Sequence, residues 1–369
     1  MPRTRRITST LHPDGKLVIE LAEHPLPEPG DREVLVRIEA APINPSDLGL
    51  LFGPADLNLA TFEEGRIICP VPEAAMRAMA GRIGQIMPVG NEGAGTVIAA
   101  GDAPEAQALM GKRIACVPGG AYAECVLADA HMCMPLPDEL PIELGAASFV
   151  NPLTALGFVE TMRAEGFTAL VHTAAASNLG QMLVKLCGEE NIPLVNIVRS
   201  ETQVELLKER GAEHVVNSST DGFMPALVAA IDATGARLGF DAIGGGTMAS
   251  TILTAMETVA ARGIPYSRYG SSERKKVCIY GSLDMGPTAL TRAFGFTWDV
   301  GGWLLLPFLA KLSTEDTMRL RARVAQGLTS TFASHFKARV TLEEMLTREA
   351  ALAYNAKATG AKYLVTPGR

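Results

Sequence analysis

The chain has 369 residues, of which 47% are hydrophobic and 20% charged, and it carries a net charge of -7. That balance argues against disorder, and the negative charge argues against the basic face that nucleic acid requires. At ~150 residues per domain the length predicts two domains.

Residues 1–6 are basic, but no apolar run of the ~7–15 residues that a signal peptide needs follows them. The longest apolar run, near 303–310, contains Pro307 and falls well short of the ~20 residues of a membrane span. A cytoplasmic protein without a membrane partner is expected. Six scattered cysteines without a Cys-x-x-Cys pair predict reduced, mostly buried thiols.

In chain order, Val34, Val36 and Ile38 alternate with Leu35, Arg37 and Glu39, which predicts a half-buried strand. Residues 56–88 look like an insertion. Within it, 72–80 predict a helix with Pro72 at the start and Gly81 as the stop. Residues 93–98 and 113–117 read as further short strands, divided by turns rich in Gly and Pro. From about 169 the pattern alternates. Strands are expected at 169–173, 194–198, 214–217, 239–243, 277–280 and 296–298, and helices at 179–190 and 201–210. This predicts an α/β region with a doubly wound parallel sheet. After Pro307 the chain reads as helical and ends in a strand at 362–366. The expected division is a discontinuous β-rich domain, 1–149 with 307–369, and an α/β domain, 150–306.

The turn after the first α/β strand carries the candidate cofactor site. Aligned on its last glycine, the dinucleotide pattern Gly-x-Gly-x-x-Gly becomes Ala175-x-Ser177-x-x-Gly180. The turn residues are small, and the following helix would direct N–H groups and its positive dipole end at phosphates. Nineteen residues after Gly180, where an NAD site wants an acid, stand Arg199 and Ser200. Arginine suits a 2′-phosphate, so NADPH is the expected cofactor. Ser218, after the third strand, is a candidate to add a hydroxyl. Glu201 is read as a first-turn helix acid.

Residues 41–48, 89–95 and 120–124 resemble the GroES-like domain of medium-chain dehydrogenases/reductases, and residues 151–155, 240–245 and 280–283 continue the likeness. The chain looks most like the zinc-free quinone oxidoreductases and enoyl-thioester reductases of that superfamily. The resemblance implies a GroES-like β-rich domain beside a Rossmann domain. It also implies cofactor contacts from Thr154, Ala176, Ser177, Asn178, Leu179, Gly180, Arg199, Ser200, Ser218, Gly281, Ser282 and Lys362.

Zinc-dependent members carry a Cys where this chain has Asn44, a His-Glu pair at Asn91 and Glu92, and a further Cys near Val150. Glu92 alone does not make the three-ligand set of a catalytic zinc, so no metal is expected. The histidines lack ligand spacing. Without a Lewis acid, the expected chemistry is NADPH-dependent hydride transfer to a quinone or an α,β-unsaturated carbonyl. Asn44 and Asn91 are the candidate hydrogen-bond donors, whereas Asp47 reads as a structural cap. Enoyl-thioester reductases place a proton-donating tyrosine shortly after the Asn-x-x-Asp segment, and residues 49–55 have none. Solvent, Tyr269 or Tyr122 are the alternative proton sources. An acyl-thioester reductase and a non-catalytic NADPH-binding protein are the competing readings. Residues 56–88 are expected to cover the substrate cleft, and the apolar stretch 298–306 to pair two copies in a homodimer.

Overall fold

The computed structural model describes residues 2–357, 359–360 and 362–368. The first elements are β1 (Arg3–Leu11), β2 (Lys16–Pro25), β3 (Glu33–Pro42), α1 (Pro45–Leu51), β4 (Thr61–Glu63) and β5 (Arg66–Pro70). Then come α2 (Glu73–Ala78), β6 (Ile86–Pro88), β7 (Gly93–Ala100), α3 (Pro104–Gln107), β8 (Arg113–Cys116), β9 (Cys125–Asp129) and β10 (Cys133–Pro135). Helices α4 (Ile142–Ala146) and α5 (Val150–Ala164) lead into β11 (Leu170–His172), α6 (Asn178–Glu189), β12 (Leu194–Val198), α7 (Glu201–Glu209), β13 (His214–Asn217) and α8 (Phe223–Thr234). These are followed by β14 (Leu238–Asp241), β15 (Gly244–Gly246), α9 (Met248–Ala260), β16 (Lys275–Ile279), β17 (Asp284–Thr288) and β18 (Trp298–Gly302). The last elements are α10 (Leu305–Leu309), α11 (Thr314–Gly327), β19 (Ala338–Val340), α12 (Leu342–Met345), α13 (Arg348–Asn355) and β20 (Tyr363–Val365). The chain divides into two compact units, Met1–Val150 with Val324–Arg369, and Asn151–Arg323. Residues 307–323 thus fall in the second unit, where the sequence reading had put them in the first.

The first unit is built on two sheets. One has the order β4-β5-β2-β1-β6; the other runs β10-β8-β7-β3-β20-β19, with β9 also paired to β3. Val34, Val36 and Ile38 of β3 are buried at 0–1% exposure, as their alternation predicts. Segment 56–88 is woven into the first sheet rather than laid over it. β5 pairs with β2, β6 pairs with β1, and Ile67 and Cys69 are fully buried. The helix expected at 72–80 is present but short, with Pro72 as its N-cap.

The second unit carries a six-stranded, all-parallel sheet in the order β13-β12-β11-β14-β16-β18. β11, β12 and β14 are buried on both faces, which is why they read as near-continuous apolar runs. The strand order reverses between β11 and β14. In such sheets ligands bind outside the carboxyl ends of the strands at that reversal. The strand expected at 296–298 begins only at Trp298, and Phe296 is exposed. β18 is an edge strand, and Leu304 and Leu306 just beyond it are exposed. Among the described residues no helix is long and apolar enough to cross a membrane.

Candidate functional site

In the second unit, the turn from β11 to α6 sits at the reversal. Ala174 adopts a left-handed φ of 50°, which tightens the turn. Ser177 caps α6 by accepting from the Gly180 N–H at 3.1 Å. Gly180 has no room for a side chain, because a Cβ there would stand 2.1 Å from the Ala175 carbonyl oxygen. This close approach explains why the third glycine of the pattern is kept. The first two positions are held by the small residues Ala175, which is buried, and Ser177, which is half-buried. Asn178 and Leu179 open the helix, whose first turn leaves backbone N–H groups without intrahelical acceptors. Gln181 reaches back to the Ala176 carbonyl at 2.9 Å and braces the turn.

The tips of β12 and β13 lie side by side. Ser218 donates from its hydroxyl to the Val198 carbonyl at 3.0 Å, and Ser219 donates to the Arg199 carbonyl at 2.9 Å. The structure therefore brings together Arg199, Ser200 and Ser218. Arg199 is exposed, and its backbone N–H is held by Gln203 at 3.0 Å. Ser200 caps α7, and Glu201 is its first-turn acid. The exposed Arg199 at the tip of β12 fits a 2′-phosphate, and the neighbouring acid, Glu201, opens α7 with its carboxylate accepting from Asn217 Nδ2 at 3.5 Å. Together with the small capped turn, these residues fit a dinucleotide.

A buried acid that the sequence reading passed over bolts this turn to the next one. Asp241, fully buried at the end of β14, accepts from Thr173 Oγ1 at 2.7 Å and from the N–H groups of Ile243 and Gly244 at 3.0 and 3.2 Å. The signal was an acid closing an otherwise apolar strand. The loop after β14 is in turn zipped to Gly281 and Ser282 after β16. Leu283 and Asp284 donate to the carbonyls of Ala242 and Ile243 at 3.1 and 2.9 Å. A Cβ on Gly281 would stand 2.6 Å from the Ala242 oxygen, so this position needs glycine.

Below the turn lies an aromatic cluster. Phe158 stacks on Phe240 at 3.8 Å between ring centroids, and Trp303 meets Phe158 edge-on at 4.9 Å. Trp303 donates from Nε1 to Thr161 Oγ1 at 3.0 Å, both in the same unit. Gly157 leaves space for the indole, since a Cβ there would come within 2.7 Å of it. His172 shares a 2.8 Å hydrogen bond with the Tyr280 hydroxyl, and burial pushes its imidazole down to about 3, so the ring is neutral. An open cleft of about 390 Å³ is lined by Tyr280, Gly281, Ser282, Trp303, Leu304 and Pro307, among others. Thr154 lies on the same unit's α5 at 6% exposure.

In the first unit, Asn44, Asn91 and Lys362 belong to one polar cluster. Asp47 accepts from the backbone N–H groups of Asn44 and Asn91, both at 2.8 Å. With both oxygens holding backbone, Asp47 acts as a brace rather than a free base. Burial pushes its carboxyl up to about 6. Asn44 is 1% exposed, and its side-chain amide donates to Glu92 Oε1 at 2.8 Å. Glu92 Oε2 accepts from the N–H groups of Phe149 and Val150, both at 2.9 Å. Burial raises the Glu92 carboxyl, while the Lys362 ammonium and these donors oppose the shift. Asn44 is thus a positioning residue tied to a buried acid. Asn91 is more open, and its amide donates to Ser46 Oγ at 3.0 Å. Tyr122 is removed as a proton source: it is fully buried and its hydroxyl donates to the Pro42 carbonyl at 3.1 Å. Tyr269 sits on an exposed loop beneath the Arg268 guanidinium. Among the described residues, no group of three or more His, Cys, Asp and Glu could hold a metal ion.

Residues 30–138 match the alcohol dehydrogenase GroES-like domain. Over its whole length the chain superposes on the crystal structure of a candidate NADPH:quinone reductase from Mesorhizobium loti, with a TM-score of 0.77 and 28% identity, covering 100% of this chain and 99% of that one. It is 27% identical over 221 residues to the mitochondrial enoyl-[acyl-carrier-protein] reductase of Bos taurus, which is 58% of this chain and 52% of that protein. It is 34% identical over 134 residues to a candidate quinone oxidoreductase of Leishmania amazonensis, 36% of this chain and 38% of that protein. The matched stretch thus spans about half the length of the enoyl reductase.

Proposed function

The chain belongs to the medium-chain dehydrogenase/reductase superfamily, an oxidoreductase family in which it is quinone oxidoreductase-like, and from that premise we propose that it is an NADPH-dependent, zinc-independent reductase of quinones or α,β-unsaturated carbonyls. The observation that carries the cofactor choice is the exposed Arg199 at the tip of β12, with Ser218 hydrogen-bonded alongside. A bound reduced nicotinamide supplies the hydride. The chain's own residues bind and orient. The Ser177-capped turn receives the pyrophosphate on backbone N–H groups. Arg199, Ser200 and Ser218 hold the 2′-phosphate. Asp241 fixes the loop that carries Gly244 and, through it, Gly281 and Ser282. Thr154 is proposed to contact the nicotinamide ribose. Asn91 is the proposed donor to the substrate oxygen, and Asn44 sets its neighbourhood through Glu92.

The test is a panel of small quinones and enones with NADPH and with NADH, before and after treatment with a strong chelator. NADPH oxidation that survives chelation supports the reading. Tight NADPH binding without turnover of any acceptor would point instead to a non-catalytic NADPH-binding protein. An enoyl-thioester reductase is the second reading, supported by the curated relatives named for that activity. Residues 49–55 hold no tyrosine, which weighs against it. Comparing a crotonyl thioester with a quinone separates the two.

We also propose a homodimer joined along β18, whose outer edge has no strand partner among the described residues and lies beside exposed Leu304 and Leu306. Sedimentation at the mass of one chain would exclude it.

A further inference from the structure

Six cysteines are spread over the chain, and two of them meet. Cys116 ends β8 and Cys133 opens β10, and the antiparallel pairing of these strands sets the two directly opposite each other. Among the described residues, none of the other four faces a cysteine across a ladder. Backbone donors fix the phase of the β8–β10 ladder. The Leu136 N–H donates to the Arg113 carbonyl at 2.9 Å, and Pro135, opposite Ile114, has no N–H to give. Hydrogen-bonded and non-hydrogen-bonded pairs alternate along such a ladder. Counted from Arg113 and Leu136, Cys116 and Cys133 form a non-hydrogen-bonded pair, in which Cα atoms stand ~4.5 Å apart and side chains approach most closely. A disulfide spans Cα atoms ~4.4–6.8 Å apart. Opposite residues share a face of the sheet, and both thiols belong to one core cluster, at 1% and 6% exposure. The backbone is thus already spaced for a bond between them.

We propose that Cys116 and Cys133 are a dithiol–disulfide pair, closed by a hydroperoxide and reopened by a dithiol, that fastens β10 to its sheet. This is independent of the reductase reading. β10 is the terminal strand of the sheet and spans only Cys133–Pro135. A short edge strand opens locally far more readily than the core, which gives an oxidant the access that the closed fold denies. Cys133, on the strand that moves, is therefore attacked first; in the closed fold its Sγ donates to the Asp129 carbonyl at 3.3 Å. Cys116 lies inside, where burial, with Cys133 and Glu92 nearby, holds its thiol protonated. The Cys133 thiolate formed on opening attacks the peroxide. An S–O bond forms, the O–O bond breaks, and the leaving oxygen takes up a proton, which gives a sulfenic acid. As β10 closes, the Cys116 sulfur attacks the Cys133 sulfur. The S–S bond forms, the S–O bond breaks, and water leaves with the Cys116 proton. The two sulfurs lose two electrons in all, and the peroxide gains them. The closed bond ties off residues 117–132. In that loop the Gly119 and Ala121 N–H groups donate to the carbonyls of Asn91 and Gly90, so the bond closes a loop that rests on the Asn91 segment.

The experiment takes the full reduced chain without denaturant and treats it with hydrogen peroxide. Remaining thiols are blocked with iodoacetamide, and unreduced peptides are mapped by mass spectrometry. The expected result is a joined pair of peptides holding Cys116 and Cys133, lighter by two hydrogens, which dithiothreitol separates. Cys116→Ala should stop the reaction at the Cys133 sulfenic acid, which dimedone labels. In the joined form the amide exchange of Met134 and Leu136 should slow ~10-fold or more. The proposal is overturned if both cysteines keep the alkyl label at a peroxide dose that oxidises the exposed Met285. A bond from either one to a different cysteine or to another chain would overturn it too. So would a joined pair whose β10 amides exchange as fast as before. The wild-type map and exchange decide the question by themselves if the variant does not fold.

Discussion

Arg199 and Asp47 show how differently two charged residues were legible. Arg199 is singled out by its distance to Gly180, because the end of the second strand is where such folds make the cofactor choice, and it is exposed just after β12. On the proposed reading its exposed guanidinium would hold the 2′-phosphate through a charge-assisted bond worth ~1.5–3 kcal/mol. Arg199→Ala should therefore weaken NADPH ~10–100-fold while leaving NADH nearly unchanged. Parallel losses for both cofactors, measured by fluorescence titration, would remove the 2′-phosphate assignment. Asp47 was legible as a cap, but not its burial or its second bond to Asn91, which joins residues far apart in sequence. Its carboxyl is raised to about 6 in the fold against ~3.9 in an unfolded chain. The protonated acid therefore favours folding below ~pH 4, and that contribution is lost as pH rises through about 6. Relative to Asp47→Asn, wild type should lose ~2 kcal/mol between pH 4 and pH 7. Denaturant unfolding at both pH values checks this, and a constant gap between the two proteins would contradict it. Asp241 and the Asn44–Glu92 bond escaped sequence reading for the same reason: each depends on which loops meet, which no local pattern encodes.

At the scale of elements, the parallel strands were readable because burial on both faces leaves unbroken apolar runs between helices. β1 and β2 were passed over. Residues 7–11 of β1 are buried on successive positions and include Thr8, Ser9 and Thr10, so alternation fails. Ser9 is accommodated by donating to the Leu51 carbonyl at 2.9 Å. α5 was likewise invisible as an amphipathic helix, being buried almost all round. The loop between α9 and β16 is held by a buried network. Lys275 Nζ lies 2.6 Å from Glu257 and 3.1 Å from Ser271, while Glu257 also accepts from the Ser271 N–H and hydroxyl at 2.7 and 2.6 Å. Burial tends to raise the Glu257 carboxyl, but the Lys275 and Ser271 bonds prevail and lower it. Lys275→Met leaves that carboxylate buried without its cation and should destabilise the protein by ~3–5 kcal/mol. A shift of the urea midpoint no larger than that of a surface substitution would refute this.

For the whole molecule, the two-part organisation and the change from β-rich to alternating pattern near residue 169 were evident from periodicity. The boundary was less so. Helical residues 307–323 look alike whichever unit they join, and only packing assigns them to the second. Residues 56–88 read as an addition because their short strands carry little pattern, yet β5 and β6 extend both sides of the β1–β2 pair.

The place of β20 has a consequence for how the chain is made. It lies between β3 and β19, pairing antiparallel with one and parallel with the other, so some of the earliest residues await some of the latest. The second unit is continuous in sequence and can be complete while the first still lacks a central strand. During synthesis the emerging N-terminal sheet would leave only the end of β3, Ala41 and Pro42, without its final partner, since β7 and β9 already flank the rest of that strand. A chain stopped after residue 337 should therefore yield a protease-resistant fragment from the second unit alone, and equal protection of residues 3–135 in that truncated product would show that the sheet closes without its final strand.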